Sequence, residues 1–553
     1  MQTKAEAAID FAEVHPPLTA DGALFEAERC LQCGGPLAAA PCVSACPAEV
    51  DIPRFIREIK AGEPVEAGRT VFAANSLGGS CARVCPVDEL CEGACVMGRE
   101  GRRPVEIARL QRYAADAALA SLRQGERSKP PARNGLSVGV VGAGPAGLAC
   151  AEELACLGYE VTVYDRRALP GGLVTYAIAP YKQRIDPMFE EADRIGSLGV
   201  RVRLGIEIGR DVTAAEVRAK HDAIFLGIGM GSDQPAAIPA EDLPGIYDSL
   251  PFIQEVKLGK PEKLGLARKR VAVIGGGNTA IDVARELIRL GVKEATIVYR
   301  RDEASMPAYR HEIEAAKAEG VSFRFLAMPV RFLGKTEVTG IECLRVCLGE
   351  PDASGRAKPE AEPGTEFVVE CDAVIKAIGQ RPLQELLNLF EVEREDGRAR
   401  IGPSYQTSNP QVFAGGDVVT GGATVVESVR QGKLAARGID AQLRPAQSAT
   451  PSAKPASSRV RVEHEGPFLK SYQGNFYVGT APGLCKGCGL CVSSCPAQLL
   501  SLDEKSRITV QDMSQCVFCG FCEMRCPDFA IWIVKGEPAP APVELEARRR
   551  LAL

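Results

Sequence analysis

The chain has 553 residues, 46% of them hydrophobic, with a formal net charge of −5, four histidines and 21 cysteines. That length exceeds what one core needs and predicts three to five domains, while the modest acidic charge gives no basis for binding nucleic acid or an anionic membrane. No uncharged apolar run reaches a membrane-spanning length and the opening MQTKAEAAIDFAEVH has no apolar signal core, so a cytoplasmic location is expected.

Without an export signal, so many cysteines point to metal or redox use rather than disulfides. Eight fall between Cys30 and Cys95, eight between Cys485 and Cys526, and five between those groups. Residues 1–28 read as a helical, partly polar lead-in. Then come Cys30-x2-Cys33-x8-Cys42-x3-Cys46-Pro47 and Cys81-x3-Cys85-Pro86-x4-Cys91-x3-Cys95, with helices expected at Pro53 to Ala61 and Val105 to Leu122. Paired thiolates also suit zinc. A Cys-Pro after short cysteine spacing, next to a domain able to exchange electrons, favours iron–sulfur.

Ser137 to Asp165 carries the clearest nucleotide signal. A β-branched run (Val138, Val140, Val141) predicts a buried strand, followed at once by Gly142, Gly144 and Gly147. The first glycine permits the turn, the second lets backbone approach a pyrophosphate, and the third lets a helix over Leu148 to Leu157 pack on the sheet. That helix aims its N-terminal amides at phosphate. A second strand, Val161 to Tyr164, ends at Asp165, placed to hold a ribose. A lone GxGxxG is weak evidence, as often only a tight strand-to-helix turn as a nucleotide site; strand, glycines, helix, strand and acid in order indicate a dinucleotide.

A second unit of this kind follows. Arg270 to Ile274 predicts a strand leading into Gly275-Gly276-Gly277-Asn278-Thr279-Ala280, where Gly275, Gly277, Asn278 and Thr279 form the phosphate turn. A helix over Ile281 to Leu290 and a strand over Ala295 to Tyr299 come next. An NAD(H) site would end that strand in an acid; this chain has Arg300 and Arg301, whose guanidinium forks suit a 2′-phosphate, although a solvated arginine pair is the plainer alternative. NADP(H) is therefore expected over NAD(H). Val374 to Gly379 reads as a strand with a glycine turn, and Val412 to Asp417 as a strand ending in Gly415-Gly416-Asp417, ahead of a helix beginning near Thr424. The Pro/Ser/Ala-rich stretch 441–458 is a semi-extended linker.

Cys485-x2-Cys488-x2-Cys491-x3-Cys495-Pro and Cys516-x2-Cys519-x2-Cys522-x3-Cys526-Pro are two bacterial ferredoxin runs, in which the fourth cysteine ligates the other cluster. One 4Fe–4S site would use Cys485, Cys488, Cys491 and Cys526, the other Cys516, Cys519, Cys522 and Cys495. No redox-active cysteine pair flanks either glycine turn, and Cys150 and Cys156, six apart on a helix, read as packing residues. Histidine occurs only at positions 15, 221, 311 and 464, so no acid–base catalyst is evident, and His311 reads as a surface residue.

Cys30 to Cys46, ARVCPVDELCEGACV, the GAGPAG turn and PGGLVTYAIAPYK (170–182) together resemble the small subunit of NADPH-dependent glutamate synthase. Its relatives include the flavin part of dihydropyrimidine dehydrogenase and the large subunit of NADH-dependent ferredoxin:NADP oxidoreductase. The resemblance covers about 25–440. It implies FAD, with Gly172, Gly379, Gly416 and Asp417 at the flavin and amides near Thr424 facing the isoalloxazine. It also implies two N-terminal 4Fe–4S clusters, one held by Cys30, Cys33, Cys42 and Cys95, the other by Cys46, Cys85, Cys91 and Gln111. Cys81 has no role in this scheme, and the loop GGPLAAAP is longer than the family pattern. The C-terminal wording, GNFYVGTAPGLCKGCGLCVSSCPA and CGFCEMRCPDFAI, is similar to the ferredoxin-like delta subunit of 2-oxoacid:ferredoxin oxidoreductases, which docks on a thiamine-diphosphate subunit.

The expected fold is multidomain α/β. It comprises a helical iron–sulfur domain (1–130), a FAD domain in two parts (131–265 and 373–440) interleaved with an NAD(P) domain (266–372), both Rossmann-like, a linker (441–465) and an α+β ferredoxin domain (466–553). The expected function is electron transfer between NADP(H) and four 4Fe–4S clusters through FAD, with no side chain needed as an acid or base, inside a hetero-oligomeric 2-oxoacid oxidoreductase. The alternatives are a glutamate-synthase-type donor, a free NADPH:ferredoxin oxidoreductase with free ferredoxin as partner and bifurcation left open, and a wiring scaffold with an inactive nicotinamide site.

Overall fold

The computed structural model describes residues 11–33, 39–99, 101–125, 131–351, 356–444, 469–470, 476–480, 485–511, 515–527 and 530–535. Most of the 441–465 linker, the GGPLA part of the long cysteine loop and the first ten residues lie outside them. The chain divides into two compact units, Met1–Pro16 with Ser128–Ile439, and Pro17–Arg127 with Asp440–Leu553. Among the described residues no helix is long and apolar enough to cross a membrane.

The first unit holds two parallel sheets of the same design. In the flavin sheet β1 (Ser137–Val141) lies between β2 (Glu160–Asp165) and β4 (Ala223–Leu226), β3 (Arg201–Leu204) extends β2, and the strand before Gly415 extends β4. Near-continuous apolar runs such as Val138 to Val141 suit strands covered on both faces. In the nicotinamide sheet β6 (Arg270–Ile274) adjoins β7 (Glu294–Val298), followed by β8 (Ser322–Arg324). On its other side come β13 (Ala373–Lys376), reached after an antiparallel insert of β9 (Ala327–Gly334), β10 (Val338–Pro351), β11 (Ala357–Ala361) and β12 (Phe367–Glu370), and then β5 (Ile246–Asp248).

That arrangement corrects the sequence-based boundaries. β13 (Ala373–Lys376), assigned from sequence to the second flavin segment, pairs with β5 and β6 in the nicotinamide sheet. The nicotinamide domain therefore spans β5 to β13, and Gly379 lies just beyond its last strand. The chain returns to the flavin sheet only after the hairpin β14 (Arg394–Glu395) and β15 (Arg398–Ala399), with β16 (Val412–Ala414) pairing along β4. The closing helix Val425–Leu443 runs three residues into the stretch assigned to the linker.

In the second unit the helix Ile52–Lys60 is capped by Asp51, whose Oδ1 accepts from Arg54 N at 3.2 Å, and buries Ile52, Phe55, Ile56 and Ile59 on one face. The helix Pro64–Ala74 meets Ile107–Arg123 at Gly68, where a Cβ would stand 2.3 Å from Ala114 O. The C-terminal part repeats itself. Helices Leu490–Ser494 and Phe521–Arg525 each follow a left-handed glycine (Gly489, φ 70°; Gly520, φ 77°) and each end at an extended cysteine, Cys495 or Cys526. Two antiparallel sheets flank them.

Candidate functional site

The flavin turn sits at the C-terminal end of β1. Gly142 adopts φ 104°, and a Cβ there would lie 2.3 Å from Gly227 O; a Cβ on Gly147 would lie 1.9 Å from Gly142 O. Both close approaches exclude any side chain and set the helix Pro145–Cys156 against the sheet. Gly144 has only the Gly172 Cα near the place a Cβ would occupy, at 3.8 Å, so the backbones of the two glycines approach each other closely. Asp165 does more than sequence suggested: Oδ2 accepts from Ala143 N and Oδ1 from Arg167 N, each at 2.7 Å, so the carboxylate braces the turn.

Of the other residues expected at the flavin, Gly416 meets the same helix. Gly416 adopts φ 80° and stands against Ala146, and Asp417 Oδ1 accepts from Ala423 N at 3.0 Å. Burial pushes the Asp417 carboxyl above its usual value. Thr424 caps the closing helix in a reciprocal box with Glu427: Thr424 N and Oγ1 donate to Glu427 Oε2 at 3.0 and 2.9 Å, and Glu427 N donates to Thr424 Oγ1 at 3.3 Å. The Thr424 amide is thus committed, and the donors left to a ligand are those of the first helical turn beyond it.

The nicotinamide turn repeats the design. Gly275 adopts φ 144°, with Ala377 O only 2.2 Å from where a Cβ would sit, while nothing lies within 4 Å of a Cβ on Gly277. Asn278 Oδ1 accepts from Tyr309 N at 2.9 Å, tying the turn to the following helix; Thr279 is exposed. The arginine pair divides. Arg300 is exposed, whereas Arg301 is 4% exposed and its Nε donates to Ala357 O at 2.8 Å. Gly379 follows β13 and accepts from Gln234 N at 2.8 Å, on the chain crossing between the sheets.

The eight C-terminal cysteines line two cavities. Cys485, Cys488, Cys491 and Cys526 line one cavity; Cys495, Cys516, Cys519 and Cys522 line a second. Among the described residues no three His, Cys, Asp or Glu groups gather as a single-ion site. At the N-terminal end burial, then repulsion from Cys519, Cys30 and Cys95, pushes Cys33 up to about 12; burial and the charges of Cys30, Cys33 and Cys95 raise Cys42 further. Crowded, buried thiolates are what a cationic iron core relieves. Cys46, Cys85 and Cys91 interact in the same way.

Cys81, given no role by the resemblance, is buried, and its Sγ donates to Asn75 Oδ1 at 3.8 Å. Gln111, which would read as a surface residue but for the family resemblance, is 8% exposed; its Nε2 donates to Gly78 O at 2.7 Å. Cys150 is buried as expected, Cys156 is exposed, and His311 lies on the surface.

Two dinucleotide turns on twin parallel sheets, joined in one chain to crowded four-cysteine sets, define a flavin- and nicotinamide-dependent iron–sulfur oxidoreductase. Residues 136–432 match the family described as pyridine nucleotide-disulphide oxidoreductase, 7–122 the 4Fe–4S domain II of dihydropyrimidine dehydrogenase, and 484–530 a 4Fe–4S dicluster domain. The glutamate synthase (NADPH) small chain of Escherichia coli is 37% identical over 447 residues, 78% of this chain and 93% of that one. The beta subunit of the NADP(+)-dependent formate dehydrogenase of Moorella thermoacetica is 37% identical over 432 residues, 74% and 60%. The Mycobacterium tuberculosis FprA structure in complex with NADPH shares the fold alone, at 21% identity and TM-score 0.50 over 58% of this chain and 86% of that one. The chain belongs to the pyridine nucleotide-disulphide oxidoreductase family, alongside the small chains of glutamate synthase. Its cofactors are FAD, NADP(H) and 4Fe–4S clusters, and it is an electron-transfer subunit.

Proposed function

We propose that this chain moves electrons between NADP(H) and the thiamine-diphosphate subunits of a 2-oxoacid oxidoreductase, acting on 2-oxoglutarate or pyruvate, within a hetero-oligomer of the cytoplasm. FAD supplies the conversion between hydride and single electrons when bound. This chain's residues supply binding and position. The glycine turns and helix N-termini hold the pyrophosphates, Asp165 braces the flavin turn beside the ribose, and Arg300 holds the 2′-phosphate. Four 4Fe–4S clusters sit in the cysteine sets, with Gln111 completing the set of Cys46, Cys85 and Cys91. Gly78 engages the Gln111 amide nitrogen, which leaves its oxygen as the ligand atom.

The observation that carries this reading is the gathering of both cysteine-rich ends of the chain into one unit, where Cys519 acts on the charge of Cys33. An electron entering the ferredoxin domain then has its next stop in the N-terminal clusters. The likeness of that domain to delta subunits supports the 2-oxoacid partner. The relatives named above are themselves chains of larger enzymes, a glutamate synthase and a formate dehydrogenase.

Anaerobic pull-down of the native protein from its own cells tests the partner. Thiamine-diphosphate subunits, with NADP⁺ reduction dependent on a 2-oxoacid, are the expected result. A large amidotransferase subunit, or no partner at all, would replace this reading with the glutamate-synthase or free-reductase alternative.

A further inference from the structure

The segment 170–182 starts at one nucleotide turn and ends at the other. At its first end Gly171 N donates to Ala143 O at 2.7 Å, and Gly172 lies so close to Gly144 that a Cβ would stand 2.9 Å from the Gly144 Cα. Along its length Lys257 Nζ donates to Val174 O and Ile178 O, each at 2.8 Å. At its far end Tyr181, fully buried, donates through its hydroxyl to Asp282 Oδ1 at 2.9 Å. Its ring lies under two guanidinium groups, Arg285 at 4.7 Å and Arg289 at 4.1 Å from the centroid. Lys182 Nζ bridges Asp282 Oδ1 at 2.6 Å and Glu312 Oε1 at 2.7 Å. Arg285 continues the network to Glu312 and Glu319, at 2.5 and 2.7 Å, and Arg289 joins Glu319 at 2.6 Å.

The carboxylates that receive this segment stand on the nicotinamide turn's own helices. Asp282 is one turn along the helix Asn278–Arg289, and Glu312 is in the first turn of Arg310–Ala318, whose preceding residue Tyr309 is bonded to Asn278. We propose that Lys182, with Tyr181, is a positioning residue that fixes the nicotinamide domain against the flavin segment in the alignment needed for hydride transfer. The inference rests on the reading that hydride passes between NADP(H) and FAD in this unit.

Hydride transfer requires reacting atoms about 3–3.5 Å apart, and a displacement of about 1 Å costs on the order of a hundredfold in rate. A half-buried ammonium shared by two carboxylates is well suited to hold such a distance, because removing it leaves Asp282 to the Tyr181 hydroxyl and Glu312 to Arg285, and the two carboxylates then repel each other. Asp282 and Glu312 outweigh the effect of burial and keep Lys182 charged. Lys182 meets the nicotinamide turn's helices through Asp282 and Glu312 and is not itself one of the glycine-turn residues or Arg300, so those groups are retained in a Lys182 variant.

The test uses the full holoprotein carrying Lys182→Met, with Lys182→Arg as the conservative variant. Three readouts apply: the stopped-flow rate of flavin bleaching at saturating NADPH, the KM for NADPH, and the long-wavelength charge-transfer absorbance that arises when nicotinamide stacks on flavin. Lys182→Met is expected to slow bleaching about tenfold or more and to weaken the charge-transfer band, with KM and FAD content nearly unchanged and partial recovery in Lys182→Arg. An unchanged rate and band, or a rate loss that merely follows FAD loss, would overturn the proposal. Should Lys182→Met fail to fold, Glu312→Gln decides by the same readouts. A wild-type protein whose flavin NADPH does not bleach would instead contradict the hydride reading itself.

Discussion

Arg300 and Arg301 end the same strand, and their surroundings assign them different work. The Arg301 guanidinium is buried against the Ala357 carbonyl, so it holds the insert strand β11 to the nicotinamide sheet. Arg300, exposed, is the one left to meet a 2′-phosphate. A charge-assisted contact of this kind contributes about 1.5–3 kcal/mol, roughly ten- to a hundredfold in binding. Arg300→Glu should therefore raise the KM for NADPH by at least about tenfold while changing that for NADH much less; equal effects on the two would remove the 2′-phosphate assignment. Glu286 poses the opposite problem. It is fully buried on the helix Asn278–Arg289, and both carboxylate oxygens lack a hydrogen-bond partner among the described residues. Burial, then the Asp282 charge, raises its carboxyl well above 4.5, and Lys257, Lys182 and Arg289 only partly compensate. A raised folded-state value means the acid is tolerated while protonated, below its unfolded value, and costs stability as pH climbs above that. Glu286→Gln should accordingly raise the melting temperature at pH 8 and leave it little changed near pH 4, as read by thermal denaturation at both pH values.

At the level of elements, the two glycine turns were legible because each turn needs glycines that no other residue can replace, and because apolar runs announce strands buried on both faces. The strand bounds moved by only a residue or so, β7 running Glu294–Val298 against an expected Ala295 to Tyr299. Less legible was the membership of a strand. The run from Val374 reads as buried β-structure on either sheet, and only pairing along β6 shows that it closes the nicotinamide domain. Gln111 and Cys81 were hidden for a related reason, since burial of a polar or spare thiol group depends on helices distant in sequence. Gly432 is another such case. It lies within the closing helix Val425–Leu443, where a glycine has a poor helix propensity, yet a Cβ there would stand 2.1 Å from Ala146 O on the flavin-turn helix. Gly432→Ala should cost about 1–3 kcal/mol through overpacking and reduce FAD retention, measured as flavin per chain after gel filtration. Full flavin content and unchanged stability would show that these two helices can separate without consequence.

Across the whole molecule, the cysteine clusters at the chain ends belong to one compact unit, although about 390 residues separate Cys95 from Cys485. The nucleotide sites occupy the other unit. Damage to the terminal ferredoxin cavity should therefore interrupt electron delivery without touching hydride exchange. Cys488→Ala removes one of the four cysteines that line that cavity with Cys485, Cys491 and Cys526. The decisive measurement compares this variant with the wild-type chain under anaerobic conditions, following NADP⁺ reduction driven by chemically reduced ferredoxin and, separately, the bleaching of FAD by NADPH. The expected result is loss of ferredoxin-driven NADPH formation with NADPH bleaching retained. Loss of both, or retention of both, would contradict a chain in which the C-terminal clusters feed a separate flavin and nicotinamide unit.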